Sequence, residues 1–248
     1  MSEPTHDRPG DAVAVAQALA AAGLMPNKSG NVSIRSPAGF LITPAGTPYA
    51  DLTAESLVEL PLENADAPGF PSTPENGDTP IFPPDDQRIS PAVAAGKKGV
   101  SPFSRPSSEW RMHAATYRAR DDVNAIVHTH SPHATALACA GLGIPPFHYM
   151  IALAGGEVRC MPYATFGTAE LADHAVRGLE GRRATLLANH GVIAVGPTLQ
   201  VARAVALEVE NLAGQWLALR AAGLEPKLLE PDELTRVVAK FADYGRLG

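Results

Sequence analysis

Ala125-Ile126-Val127-His128-Thr129-His130 is the stretch on which the fold turns. It is short, apolar and β-branched, and it reads as a strand. Successive strand side chains alternate faces, so His128 and His130 leave the same face a few ångströms apart. Two neutral imidazoles so placed can grip one Zn²⁺. Such pairs also occur where one histidine is only packed or hydrogen-bonded, so the spacing alone does not decide.

C-terminal to this strand, residues 132–140 read as a helix of small residues. Residues 183–189 form a second apolar strand, ending at His190-Gly191, and Val192-Ile193-Ala194-Val195 either continues it or pairs beside it. Gly191 lets the backbone turn next to His190. A third imidazole at a strand end, with an open fourth position, fits a catalytic zinc rather than a structural one. The alternative is a histidine satisfied by a backbone carbonyl. Residues 199–221 carry Val201, Val205, Val209, Leu212 and Trp216 along one helical stripe, and a last helix covers 232–241.

N-terminal to it, Ser107-Ser108-Glu109 opens a helix, with Trp110, His113, Ala114 and Tyr117 at helical spacing. Two hydroxyls and unbonded N–H groups at a helix start suit an anion. A carboxylate there ordinarily serves only the helix dipole. Glu109 beside an anion site is electrostatically awkward, which makes it the candidate acid/base. Further upstream, a helix over 11–22 is expected, with Asp11 as N-cap and Gly23 as its stop. Residues 30–35 read as a turn feeding a strand, with Val32 and Ile34 on one face and Ser33 and Arg35 on the other. Residues 40–43 return as a hairpin partner, and 57–60 form another strand after a helical turn at Thr53-Ala54-Glu55. Strands and helices alternate, so the class is α/β. Ser29-Gly30-Asn31 and Thr43-Pro44-Ala45-Gly46 are Gly-containing turns able to offer N–H groups to a phosphate, or simply ordinary turns. His133 is read as supporting or structural, and His148 as structural. Tyr149 and Tyr244 are phenols that can donate a proton, although a lone tyrosine is usually just packed.

The chain has 248 residues, is 45% apolar and carries a net charge of −6, which suits a sizeable core and argues against a nucleic-acid binder. Residues 61–106 hold 10 of the 23 prolines and few large apolar groups, so a long Pro-rich surface loop is expected there. Residues 1–10 are expected to be a flexible start without the order of a signal peptide. Cys139 and Cys160 lack CxxC spacing and read as two buried free thiols. With no apolar run long enough to span a membrane, a cytoplasmic protein is expected.

The stretches SGNVSIR (29–35), LITPAGTPY (41–49), PSSEWRMH (106–113), AIVHTHSPH (125–133), IPPFHYMIALAGG (144–156), PYATFGTAEL (162–171), ATLLANHGVIA (184–194) and KFADYG (240–245) together resemble the class II aldolase/AraD-like (adducin-type) family, in family order and over nearly the whole chain. HYMIALAGG followed closely by PYATFGT points to its fuculose-phosphate branch. The resemblance implies a single three-layer α/β domain, a central largely antiparallel sheet flanked by helices, and a homotetramer with interface active sites. It implies one Zn²⁺ per subunit on His128, His130 and His190, with Glu109 beside it as acid/base. It places a sugar phosphate's anionic end among Gly30, Asn31, Gly46, Ser107 and Ser108. It makes Tyr149, from a neighbouring subunit, and Tyr244 assistants in proton transfer. The activity implied is reversible cleavage of a ketose 1-phosphate to dihydroxyacetone phosphate and a small aldehyde. A sugar-phosphate dehydratase, a pentulose-phosphate 4-epimerase and a non-catalytic adducin-like module share the scaffold. The epimerase branch tends to carry Asp where Glu109 stands. Ala45 departs from the Ser or Thr usual in the family, and Lys28 stands where Thr is common.

Overall fold

A computed structural model describes residues 7–62 and the backbone of 105–244, with side chains to 241. Most of the expected Pro-rich loop and the Tyr244 side chain lie outside the described residues. So does the first part of the expected flexible start.

Helix α1 spans Pro9–Ala21, beginning inside the stretch expected to be flexible. Asp11 is not its N-cap. It sits at the third helical position and reaches back to the Arg8 N–H at 2.9 Å. Strands β1 (Asn31–Ser36), β2 (Gly39–Ile42) and β3 (Val58–Leu60) follow. Helix α2 (Trp110–Ala119), strand β4 (Ala125–Thr129) and helix α3 (Pro132–Cys139) come next. A 3-10 stretch (Tyr149–Ala154) leads to β5 (Arg159–Met161) and helix α4 (Ala169–Gly178). Strands β6 (Ala184–Leu187) and β7 (Gly191–Gly196) precede α5 (Leu199–Ala221) and α6 (Pro231–Tyr244).

The seven strands form one sheet in the order β3-β2-β1-β4-β7-β6-β5. Every pairing is antiparallel except β5 with β6, so the expected largely antiparallel sheet is present. Period two sorts side chains into two apolar layers. Val32, Ile34, Val127 and Ala194 pack toward α1, α3 and α5. Phe40, Ile42, Ile126, Ile193 and Val195 pack toward α2 and α4. The sheet is therefore buried on both faces, as a three-layer α/β domain requires. The strand at 192–195 pairs beside β6 rather than continuing it, through Leu187↔Gly191 and Leu186↔Val192. On α5, Val205, Val209 and Leu212 are buried as the stripe predicted. Both thiols are free, but neither is buried. Cys139 ends α3 on the exposed side, and Cys160 lies half-buried on edge strand β5. No helix of the described residues is long and apolar enough to cross a membrane.

Candidate metal centre and active-site cleft

The register that aligns β1, β4 and β7 also builds the site. Asn31 stands opposite His128 across β1–β4, and His128 stands opposite Ile193 across β4–β7. His128 follows Ile126 by two, so it faces the α2 layer and is fully buried. His130 lies one residue past the end of β4, its N–H held by the Leu24 carbonyl at 3.1 Å. His190 sits in the β6–β7 turn, where its N–H bonds back to the Leu187 carbonyl and Asn189 takes a left-handed φ of 54°. Gly191 fits because an added Cβ would meet the Thr129 carbonyl oxygen at 2.4 Å. Glu109 is the N-cap residue of α2, one position earlier than the first-turn place expected.

The three imidazoles meet. Their ring centroids are 4.9, 5.0 and 4.9 Å apart, with planes close to perpendicular. His128 Nε2 lies 3.0 Å from His130 Nε2 and 2.9 Å from Glu109 Oε2, and His190 Nε2 lies 2.8 Å from Glu109 Oε1. One ligand atom from each of the four residues falls within 4.8 Å of every other. The donor set fits a divalent cation. His128 Nδ1 faces the Val192 carbonyl at 2.8 Å, so a neutral ring would carry its hydrogen there and turn a lone pair inward on Nε2, as a metal ligand must. Glu109 Oε1, buried, lacks an aligned hydrogen bond despite its neighbour. Lone pairs packed this closely repel one another without a positive charge among them.

Asn31 Nδ2 donates to Ser107 Oγ at 2.9 Å and Glu109 Oε2 at 3.1 Å, tying β1 to the start of α2. Burial alone would push the Glu109 carboxyl up. The attraction of His128, and then of His190 beside it, overrides it and holds the group well below the usual carboxylate range. Burial, with repulsion from the His128 and His190 charges, pulls His130 down to about 3.

These groups stand at one side of a cleft of about 320 Å³, a volume suited to a small molecule. All five residues expected at the anionic end, Gly30, Asn31, Gly46, Ser107 and Ser108, line it, together with Lys28. Gly30 is not a spare donor, however. Its N–H donates to Tyr49 Oη at 2.9 Å, and that hydroxyl donates back to the Gly30 carbonyl. Its missing side chain serves close packing, since an added Cβ would meet Met25 Cγ at 2.6 Å and the His128 carbonyl oxygen at 2.7 Å. Tyr163, Ala164, Phe166 and Asn189 form further wall, and none was singled out as a site residue from the sequence. Tyr163 and Phe166 are 59% and 62% exposed, an aromatic pair in a turn just beyond β5, and that pairing is the signal available for them. Tyr149 is absent from the cleft wall of its own chain. It is 52% exposed and its ring stacks on Phe241 at 6.3 Å. His133 is apart from this cluster, paired with Glu210 of α5 at 2.8 Å, and His148 accepts from the Met150 N–H at 3.2 Å.

An open α/β sheet here gathers three imidazoles and a carboxylate, a set able to hold a metal ion, beside a cleft. The model of the Class II Aldolase and Adducin N-terminal domain family matches residues 11–217, and the chain belongs to that family. It is 44% identical to a 5-methylthioribulose-1-phosphate/5-deoxyribulose-1-phosphate aldolase of Rhodospirillum rubrum, over 90% of this chain and 86% of that one. It is 38% identical to an L-fuculose phosphate aldolase of Escherichia coli, over 90% and 88%. A solved structure of an L-fuculose 1-phosphate aldolase superposes with a TM-score of 0.77 at 31% identity, covering 96% of this chain and 98% of that one.

Proposed function

We propose that the chain is a zinc-dependent aldolase that reversibly cleaves a ketose 1-phosphate to dihydroxyacetone phosphate and a small aldehyde. The observation that carries the reading is the convergence of His128, His130, His190 and Glu109 within 4.8 Å beside the cleft. His128, His130 and His190 hold the metal. Bound there, the cation supplies Lewis acidity toward a carbonyl oxygen, the chemistry that a carbanion next to a carbonyl demands. Glu109, kept ionised by its imidazole neighbours, removes the proton from the carbon beside the carbonyl in the condensation direction and returns it in cleavage. Asn31 fixes the Glu109 carboxylate through Oε2. Gly46, Ser107 and Ser108, with Gly30 and Asn31 behind them, form the seat for the phosphate, so that binding at the unreactive end orients the reacting end. Tyr149 and Tyr244 assist proton transfer to the aldehyde oxygen, Tyr149 across a subunit interface. Its exposure on the single chain supports that placement. A homotetramer in the cytoplasm belongs to the same reading.

The substrate lies among ketose 1-phosphates of the kinds that name the relatives: L-fuculose 1-phosphate, 5-deoxyribulose 1-phosphate and 5-methylthioribulose 1-phosphate. The zinc-loaded protein, given each in turn, is expected to release dihydroxyacetone phosphate from at least one. A dehydratase or an epimerase would release none from any, and that result ends the proposal.

A further inference from the structure

We infer that Lys28 is a specificity-determining residue, the cation that selects a doubly charged phosphate at the cleft's anionic end; the inference rests on the phosphate placement proposed above. Among the described residues lining the cleft, Lys28 is the single lysine or arginine. Several main-chain donors on that wall are engaged within the protein. Ser29 N–H bonds the Pro26 carbonyl at 3.0 Å, Ala45 N–H the Arg105 carbonyl at 2.9 Å, and Ser107 N–H the Thr43 carbonyl at 3.2 Å. Gly30 N–H is held by Tyr49, and Asn31 Nδ2 by Ser107 and Glu109. Ala45 brings no hydroxyl. A dianion entering this cleft also meets a chain of net charge −6. Hydroxyl donors from Ser107 and Ser108 orient it but do not offset that charge.

Lys28 is placed to do so. Its Nζ lies 3.0 Å from the Gly46 carbonyl oxygen, beside the seat itself, and an ammonium has three hydrogens to share. That bond ends on a neutral, exposed acceptor, so exchange for a phosphate oxygen gains a charge-assisted bond. The backbone is committed to this position: Asn27 and Lys28 both hold left-handed φ values, 53° and 64°, which non-glycine residues rarely adopt. A purely structural role is the competing account, with Lys28 serving as a latch between the turns at 26–30 and 44–46.

Lys28→Met and Lys28→Arg separate the two. Affinity for inorganic phosphate is measured by calorimetry on zinc-loaded protein, alongside KM, kcat and Tm. Lys28→Met is expected to weaken phosphate binding about tenfold, with the loss in cleavage carried by KM more than by kcat. Its phosphate affinity should also lose part of its salt dependence, while Lys28→Arg keeps most of the wild-type affinity. Phosphate affinity unchanged in Lys28→Met overturns the inference. So does an equal loss in Lys28→Arg, or a lowered Tm with affinity intact, which marks a latch. Calorimetry needs no turnover, so wild-type protein that cleaves no ketose 1-phosphate refutes the aldolase reading while leaving this measurement to decide Lys28 by itself.

Discussion

Glu109 keeps its charge where burial opposes it, because two imidazoles face its two oxygens and Asn31 donates to one of them. A carboxylate so fixed can take a proton without first reorienting. Glu109→Gln preserves shape and the three imidazoles. It is expected to retain bound metal by elemental analysis while kcat falls by about 10²- to 10⁴-fold. Full turnover in that variant would remove the acid/base assignment. Four residues along α2, His113 shows the opposite electrostatics. It is wholly buried, with Nδ1 2.7 Å from Ser33 Oγ, which in turn lies 2.8 Å from Tyr117 Oη. Burial, joined by the His128 charge and opposed by Glu109, lowers its imidazole from 6.5 to about 3. As the pH drops below 6.5 the unfolded chain takes up a proton that the folded chain refuses. Stability therefore declines between pH 6.5 and about 3, by on the order of a few kcal/mol. Denaturant titrations over that range should show a shallower decline for His113→Gln than for wild type. Equal slopes would assign the acid sensitivity to other groups.

Elements were legible where a local pattern specified them. The strand carrying His128, the hairpin of β1 and β2 and the long helix α5 follow from period and turn residues. Helix α4 did not, because its alanines and charges follow a loop without an obvious stop. The Thr168 side chain accepting from the Leu171 N–H at 3.2 Å is the cap that marks its start. β5 has three residues and exists through parallel pairing with β6, which no local signal encodes. The HxH pair was readable as a shared strand face, although His130 lies just past the strand. That His190 joins it depends on β7 lying between β4 and β6, a tertiary fact. The turn before β1 shows how close these elements stand. Gly30→Ala would drive a methyl group into Met25 and the His128 backbone. It is expected to cost about 1–3 kcal/mol in chemical denaturation and to weaken metal retention with it. Wild-type values for both would mean that the turn yields without disturbing β4.

Across the molecule, no single segment holds the site: Glu109 comes from the start of α2, His128 and His130 from the end of β4, His190 from the β6–β7 turn. An ion that binds only this arrangement stabilises the folded state by linkage. Stripping the metal with a chelator is therefore expected to lower Tm, and His190→Ala to lower metal occupancy with a smaller chelator effect. A Tm indifferent to chelation, or one metal per chain in His190→Ala, would contradict the ligand set. The sheet order adds a kinetic corollary. His190 joins His128 and His130 only where β7 pairs with β4, so a chain lacking that pairing offers the His128–His130 pair but not the complete set. Tight uptake of the ion during refolding is thus expected to report the docking of β7 against β4.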